Sequence, residues 1–332
     1  MVTIKEIAKA SGFSPSTVSI VLSGKSDERK ISEKTKQKIL YTANKLGYRV
    51  NVTARRLRVS HTPKTMISVF MTMDQRAYMM TRFLLGLYKA AEEWAQPFEI
   101  VVHFYKNGSL HQFIDNIELT NCAIICNTSE EDQRYLEGLR LSVPIVLYYR
   151  TSEKYCTVSV NMSDIGEMAA EILARRGRKS AVLLDTDEYF RGMKECTQQF
   201  AERAKHLGMS VSYIRESHDV KGGYNGGTAI SEINPAPDCV FCMSSAMAVG
   251  LLRAFDRQGI KIPEQLELIS MGTSTTDLEE HASVPLSTIH LPVEEMAKEC
   301  LRLLIMQLDG KIDTPQSVEA KASYMARESC GE

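Results

Sequence analysis

The sequence has no run of about 20 apolar residues, the length a helix needs to cross a bilayer, so no membrane-spanning helix is expected. Nor does it contain GxxxxGK[ST], HExxH or GxSxG. Nothing therefore announces a phosphate-binding loop, a zinc protease or a nucleophile elbow. Its seven histidines, at 61, 103, 111, 206, 218, 281 and 290, stand at no metal-ligand spacing. These absences argue against an enzyme, and no cofactor or metal is expected. Eight cysteines are present, but they are scattered and mostly lie in apolar runs such as NCAIICN and DCVFCM. The CxxC at 239–242 has no second ligand pair and reads as a strand, which makes core thiols the expectation. GGYNGG at 222–227 looks like a phosphate cradle, but it lacks the lysine and follows no clear strand. It is expected to open a helix instead.

What the sequence does have is an uneven charge. Residues 1–60 carry 13 Lys/Arg against 4 Asp/Glu, a net +9, while the whole 332-residue chain is −1. The rest therefore carries −10. A basic head on an acidic body is the electrostatic footprint of a nucleic-acid binder.

The head also has the right local signals. Thr3 and Glu6 form a capping box, in which threonine accepts an orphan amide and glutamate reaches back. Ile4, Ile7 and Ala8 then share one helical face, and Gly12 suits a left-handed stop. Ser14 is the next cap, and Pro15 fits the first helical position. Val18, Val21 and Leu22 form the buried side of this second helix, which Gly24 closes. Two short helices across a tight turn make a helix-turn-helix, whose second helix enters the major groove. Its base-facing residues would be Pro15, Ser16, Thr17, Ser19 and Ile20. A third helix, capped by Ser32 and ending at Gly47, offers Ile39, Leu40, Ala43 and Leu46 to a three-helix core.

TIKEIAKASGFSPSTVS followed by LGYRVNVTARRL resembles the head of the lac repressor and purine repressor family of bacterial transcription regulators. The resemblance implies a hinge helix at 51–58 that orders on operator DNA. It also implies that Leu57 wedges into the minor groove, unstacking a base step. Arg55, Arg56 and Arg58 around it suit phosphates and a narrow groove. Thr3, Lys25, Asn51, Thr53 and Ala54 complete the expected DNA-facing set. One position departs from the family: the residue after Ser19, commonly polar or basic, is Ile20. It lies off the Val18–Val21–Leu22 face. Isoleucine cannot hydrogen-bond a base but can pack on a thymine methyl, so a thymine is expected where relatives often need guanine.

From Met66 onward, short apolar runs alternate with helical segments, in two series. The expected class is α/β, a small all-α helix-turn-helix head on a two-lobed body with parallel sheets. The body resembles the family's periplasmic-binding-protein-like effector domain, through PDCVFCMSSAMAVGLLRAF, GIKIPEQLELIS, PLSTIHLPVEEMAKECLRLL and MARES. The expected division is 1–48 for the DNA-binding head, 49–65 for hinge and linker, and 66–332 for effector binding and dimerisation. The lobes would take 66–160 with 291–319, and 161–290 with 320–332. Crossings are expected near Asn161, His290 and Ala320.

The resemblance implies a homodimer on palindromic double-stranded operator DNA. Two half-sites also multiply affinity, since one head reads only a few bases. In sugar- and purine-responsive relatives the cleft carries an arginine and a late aspartate. Here the aligned positions are Cys196, with Arg191 five residues earlier, and Gly272–Thr273; Ser244 and Ser245 stand where Asn-Asp is common. Asp74, Gln75 and Arg150 are further cleft candidates. The effector is thus left open between a small metabolite unlike those sugars, a regulatory protein partner, and none at all. With the capping box at the start of the chain, no signal peptide is expected, which points to the cytoplasm.

Overall fold

A computed structural model describes residues 3–22, 29, 31–46, 64–72, 77–94, 97–113, 116–117, 119–186, 191–272 and 277–331. Among the described residues the head has three helices, α1 (Ile4–Ser11), α2 (Pro15–Leu22) and α3 (Glu33–Lys45). Thr3 and Glu6 form the capping box, with the Thr3 amide donating to Glu6 Oε2 at 2.7 Å. Gly12 stops α1 in the left-handed region, φ 78°, where a side chain would be strained. The Thr17 amide donates to Ser14 Oγ, and the Thr35 amide to Ser32 Oγ, so both serines cap their helices.

Ile7, Ala8, Val18, Val21, Ile39 and Ala43 make the small core of the head. Leu40 and Leu46 correct the sequence expectation, being 43% and 39% exposed. Ile39 and Ala43 stand four residues apart and share the inward face; Leu40 is turned about 100° away from it. Gly24 and Gly47 fall outside the described residues.

Among the described residues the body contains two six-stranded sheets. The first holds β1 (Thr65–Thr72), β2 (Phe98–Tyr105), β3 (Cys122–Cys126), β4 (Ile145–Tyr148), β5 (Cys156–Val160) and β11 (Ser317–Ala320), in the order β11-β5-β4-β3-β1-β2. The second holds β6 (Ser180–Thr186), β7 (Ser210–Glu216), β8 (Cys239–Cys242), β9 (Glu267–Gly272), β10 (Ser287–His290) and β12 (Ser323–Met325), in the order β12-β10-β9-β8-β6-β7. Every neighbour pair is parallel except β10 with β12.

Helices cover the sheets because the strands are apolar on both faces, as parallel strands must be. In the first lobe, α4 (Ala77–Glu92) and α11 (Val293–Leu308) bury Phe83, Leu87, Cys300 and Leu304 with Ile67, Val69, Ile124 and Val146. Phe70, Ile125 and Leu147 pack the opposite face with Leu136 of α5 (Glu130–Gly138) and Leu110. In the second lobe, α6 (Met162–Arg175) and α7 (Arg191–His206) set Ile165, Leu173 and Phe200 with Leu183 and Phe241. On its other face α8 (Val220–Ser231) and α9 (Ser245–Gln258) bring Ile230, Leu251 and Phe255 to Val182 and Val240. A one-turn helix α10 (Asp277–Glu280) precedes β10.

The GGYNGG stretch lies within α8, which starts at Val220 behind the cap Asp219, earlier than the glycines themselves suggest. Its glycines let α8 touch α9: a Cβ at Gly223 would sit 1.9 Å from the Met247 carbonyl oxygen. Cys239 and Cys242 face opposite sides of the sheet, one in each core cluster, so they cannot share a metal or a bond. Among the described residues no helix is long and apolar enough to cross a membrane, and no group of His, Cys, Asp or Glu could hold a metal.

Candidate functional site

The chain moves between the sheets after β5, after β10 and after β11, so three short connections join the lobes. Beside them is a cavity of about 320 Å³, walled by both lobes. It lies where parallel α/β sheets place ligands, at the carboxyl ends of the strands. The first lobe supplies Asn127 after β3, Tyr149, Arg150 and Thr151 after β4, and Ser159, Val160 and Glu319 from β5 and β11. The second supplies Asn161 and Met162 at the start of α6, Gly192, Met193 and Glu195 from α7, His218, and Met271 from β9. Leu291, at the second connection, completes the wall.

Two of these residues sit in the left-handed region without being glycine, Asn127 at φ 54° and Tyr149 at φ 61°. They occupy matching places on neighbouring strands, and the Asn127 amide donates to the Tyr148 carbonyl at 3.1 Å. Such backbone costs of order 1–3 kcal/mol per residue and collects at functional sites. Arg150 helps hold it, donating from Nε to the Thr128 carbonyl and from Nη1 to the Tyr149 carbonyl, each at 2.6 Å. Its Nη2 also donates to Thr128. The Tyr149 ring stands edge-on to Tyr148, centroids 4.7 Å apart. Its hydroxyl is buried and has no hydrogen-bond partner among the described residues. Burial pushes that phenol well above its ordinary range, so it remains a neutral donor. Across the cavity, Asn161 caps α6 by accepting from the Ser163 amide at 3.0 Å.

The expected cleft residues separate into groups. Arg150 lines the cavity. Arg191 begins α7, the helix that supplies Gly192, Met193 and Glu195, but its side chain is outside the described residues, as are Asp74, Gln75 and Thr273. Cys196 lies in the core instead: it is fully buried between α6 and α7, and its carbonyl is packed against Gly166. Burial pushes its thiol up, with Asp185 adding to the effect. Ser244 and Ser245 have structural work. The first caps α9 by accepting from Met247, and the second donates to Glu279 Oε1 at 2.6 Å. Asn127, Tyr149, Glu195, His218 and Glu319 were not singled out by sequence, and Asn161 was named only as a crossing between the lobes. The residue after the apolar run CAIIC is Asn127, whereas Tyr149 belongs to the apolar run PIVLYY itself and gives no such signal.

At the other end of the chain, α2 turns Val18 and Val21 inward, leaving Pro15 and Ser16 exposed and Thr17, Ser19 and Ile20 half-buried. Thr17 is also engaged with Ser14, Oγ to Oγ 2.8 Å. Thr3 is exposed at the start of α1. Lys25, Asn51, Thr53, Ala54, Arg55, Leu57 and Arg58 lie outside the described residues.

Residues 3–51 match the family described as bacterial regulatory proteins, lacI family, and residues 170–330 match the periplasmic binding protein-like domain. The chain carries a lacI-family DNA-binding head and a periplasmic binding protein-like body. It is 25% identical to the ribose operon repressor of Haemophilus influenzae, over 99% of this chain and 98% of that one. A LacI family transcription regulator from Clostridium acetobutylicum is 27% identical, with a TM-score of 0.76, covering 80% of this chain and all of that one. The fold also matches the lac repressor dimer bound to operator and the anti-inducer ONPF, with a TM-score of 0.71 at 16% identity, over 100% of this chain and 99% of that one. With that head, and with full-length relatives that are repressors, the protein is a DNA-binding transcriptional regulator.

Proposed function

We propose that this regulator is a repressor which holds a palindromic operator as a dimer and releases or tightens it in response to a small molecule in the interlobe cavity. One observation carries the reading: a helix-turn-helix and a two-lobed cavity occur in the same chain. The lac repressor structure, a dimer with both operator and a small molecule, supports it.

The proposed division is a head at 1–48, a hinge and linker at 49–65, and a body at 66–332. A ligand that binds one lobe arrangement better than another shifts the population toward it. In this reading the shift moves the two hinges of the dimer apart or together, and operator affinity follows by linkage. The cavity's mixed wall, with three methionines, a neutral tyrosine hydroxyl, an arginine already engaged with carbonyls and two carboxylates, suits a ligand with hydroxyl or amide groups. A second copy has a surface to bind. Leu85 and Tyr88 of α4 are exposed, and Phe104 of β2 pairs with Met71, whose face α4 covers. Grouped exposed apolar side chains of this kind mark interaction sites. The reading makes the chain a cytoplasmic binding protein rather than an enzyme.

The test has two arms. Thermal unfolding of the full chain is recorded against sugars, sugar phosphates, nucleobases, amino acids and organic acids, one at a time. A ligand at 100 times its dissociation constant stabilises the native state by about 2.7 kcal/mol. Separately, sequences are selected from a random duplex pool. A palindromic consensus and a ligand that changes its retention support the reading. Selection of nothing would remove it.

A further inference from the structure

The outward face of α2 is chemically unusual for a base reader, because it has no charge and no amide. The helix reads PSTVSIVL, without acid or base in its first or last turn. Val18 and Val21 are buried, and Leu22 packs against the same small core. Ile20 is absent from that core and its packed fringe, although Ile4, Phe13, Leu22 and Ile31 all belong to it. At 100° per residue, Ile20 lies roughly 150° from the buried side. Ser16, one turn earlier, is its neighbour on that face, and Ser16 is exposed. The core of the head takes Ile39 and Ala43 from α3, with Ile20 outside it.

From this placement, and resting on the operator-binding reading above, we infer that α2 reads the C5-methyl group of a pyrimidine through Ile20. It therefore binds thymine and 5-methylcytosine alike and discriminates against uracil and cytosine at that position. The chemistry follows from the groove. Thymine presents a methyl and the O4 acceptor, whereas cytosine presents an N4 donor and no methyl. A side chain that can neither donate nor accept cannot tell O4 from N4, and it contacts only the methyl. The neighbouring Ser16 hydroxyl can both donate and accept, so it does not restore that distinction. Methylation of one cytosine would then create a binding position that unmodified cytosine lacks. No covalent step is involved; the effect is contact area alone.

The test begins with the palindromic site selected by the full chain. Each thymine in the half-site is replaced in turn by deoxyuridine, which removes only the methyl, and then by cytosine and by 5-methylcytosine. One position is expected to lose about fourfold in affinity per half-site with uracil, the ratio for withdrawing one methyl-sized group from contact. At that position 5-methylcytosine binds within twofold of thymine, and cytosine is as weak as uracil or weaker. In Ile20→Ala the four bases become equivalent there, while the circular dichroism spectrum and dimer mass stay unchanged. Ile20→Val, which keeps a branched apolar contact, retains part of the preference. Three results overturn the inference alone: no thymine in the half-site, uracil tolerated at every thymine, or a methyl preference that survives Ile20→Ala. Failure to select any site overturns the operator-binding reading, and the inference with it.

Discussion

Arg150 turns its guanidinium back onto the carbonyl oxygen of Thr128, with Nε 2.6 Å away, and so closes the end of β3 against the end of β4. Because it also donates to the Tyr149 carbonyl, one side chain secures a residue held in the left-handed region at the cavity wall. Hydrogen bonds from a charged donor contribute about 1.5–3 kcal/mol each. Arg150→Ala is therefore expected to lower unfolding free energy by about 2 kcal/mol and to weaken any ligand of the cavity. Urea titration with and without that ligand separates the two effects. An unchanged midpoint would mean that the strained turn needs no clamp.

A carboxylate–arginine cluster lies at the far end of the second lobe. Glu267, 1% exposed at the head of β9, accepts from Arg176 Nε at 2.9 Å and from Arg178 Nη2 at 2.6 Å. Burial alone would push its carboxyl up, but the hydrogen bonds and charges of Arg178 and Arg176 outweigh that and hold it below its ordinary value of 4.5. A depressed folded-state value means that the unfolded chain takes up the proton first. The stabilisation is thus present above about pH 4.5 and is lost as pH falls through the lower folded value. Wild type should lose melting temperature steeply on acidification below pH 4.5. Glu267→Gln should start lower at pH 7, by several kcal/mol, because two arginines lose their counter-charge. Its acid limb should be flatter, and melting curves from pH 7 to 3 would show this. Parallel acid limbs would place the acid sensitivity elsewhere.

The helical glycines give a steric prediction. Gly223 and Gly250 bring α8 and α9 together so closely that a Cβ on either would lie 1.9 Å from a backbone carbonyl oxygen of the other helix, at Met247 and Val220 respectively. Backbone cannot move aside as a side chain can. Gly223→Ala and Gly250→Ala should each destabilise by about 3 kcal/mol, at the upper end of overpacking costs. Gly138→Ala is the control, since nothing lies within 4 Å of its added carbon. If Gly223→Ala melts like wild type, the two helices are less tightly held than their packing implies.

These features differ in how far the sequence revealed them. The head was legible because its signals are local: Thr3 with Glu6, Ser14 before Pro15, and Gly12 at a positive φ all act within one helical turn. The alternating strands were legible for a similar reason, since runs such as CAIIC and CVFC are apolar enough to be buried on both faces. Leu40 was misplaced because a short amphipathic helix has more apolar residues than its core has room for. The cavity was read poorly. Cys196 was placed there from a family position, yet the α6–α7 packing that buries it depends on Gly166, thirty residues earlier on α6. Asn127 and Tyr149 face the cavity because two neighbouring strands end in the same strained conformation, which no spacing in the sequence encodes.

Cysteine chemistry provides the last prediction. All eight thiols are free and buried, although CxxC at 239–242 looks like a redox or metal motif. A strand sends residues three apart to opposite faces, and here each face is filled by a different set of helices. Burial pushes the Cys242 thiol up to about 12, while the amides of Ser244 and Met243 pull it partly back. Burial likewise takes Cys122 to about 12. Cys330 rises to about 11, through burial first, with opposing contributions from Tyr324 and Glu267. A thiol reagent attacks the thiolate, so at pH 8 these groups are protected twice, by access and by protonation. Native protein treated with Ellman's reagent at pH 8 should release almost no chromophore over minutes, and eight equivalents once unfolded in guanidinium. Zinc should cause no melting shift at stoichiometric concentration. Rapid reaction of two thiols in the native state, abolished together by Cys239→Ser and Cys242→Ser, would show that β8 opens far more readily than its position in the middle of the second sheet allows.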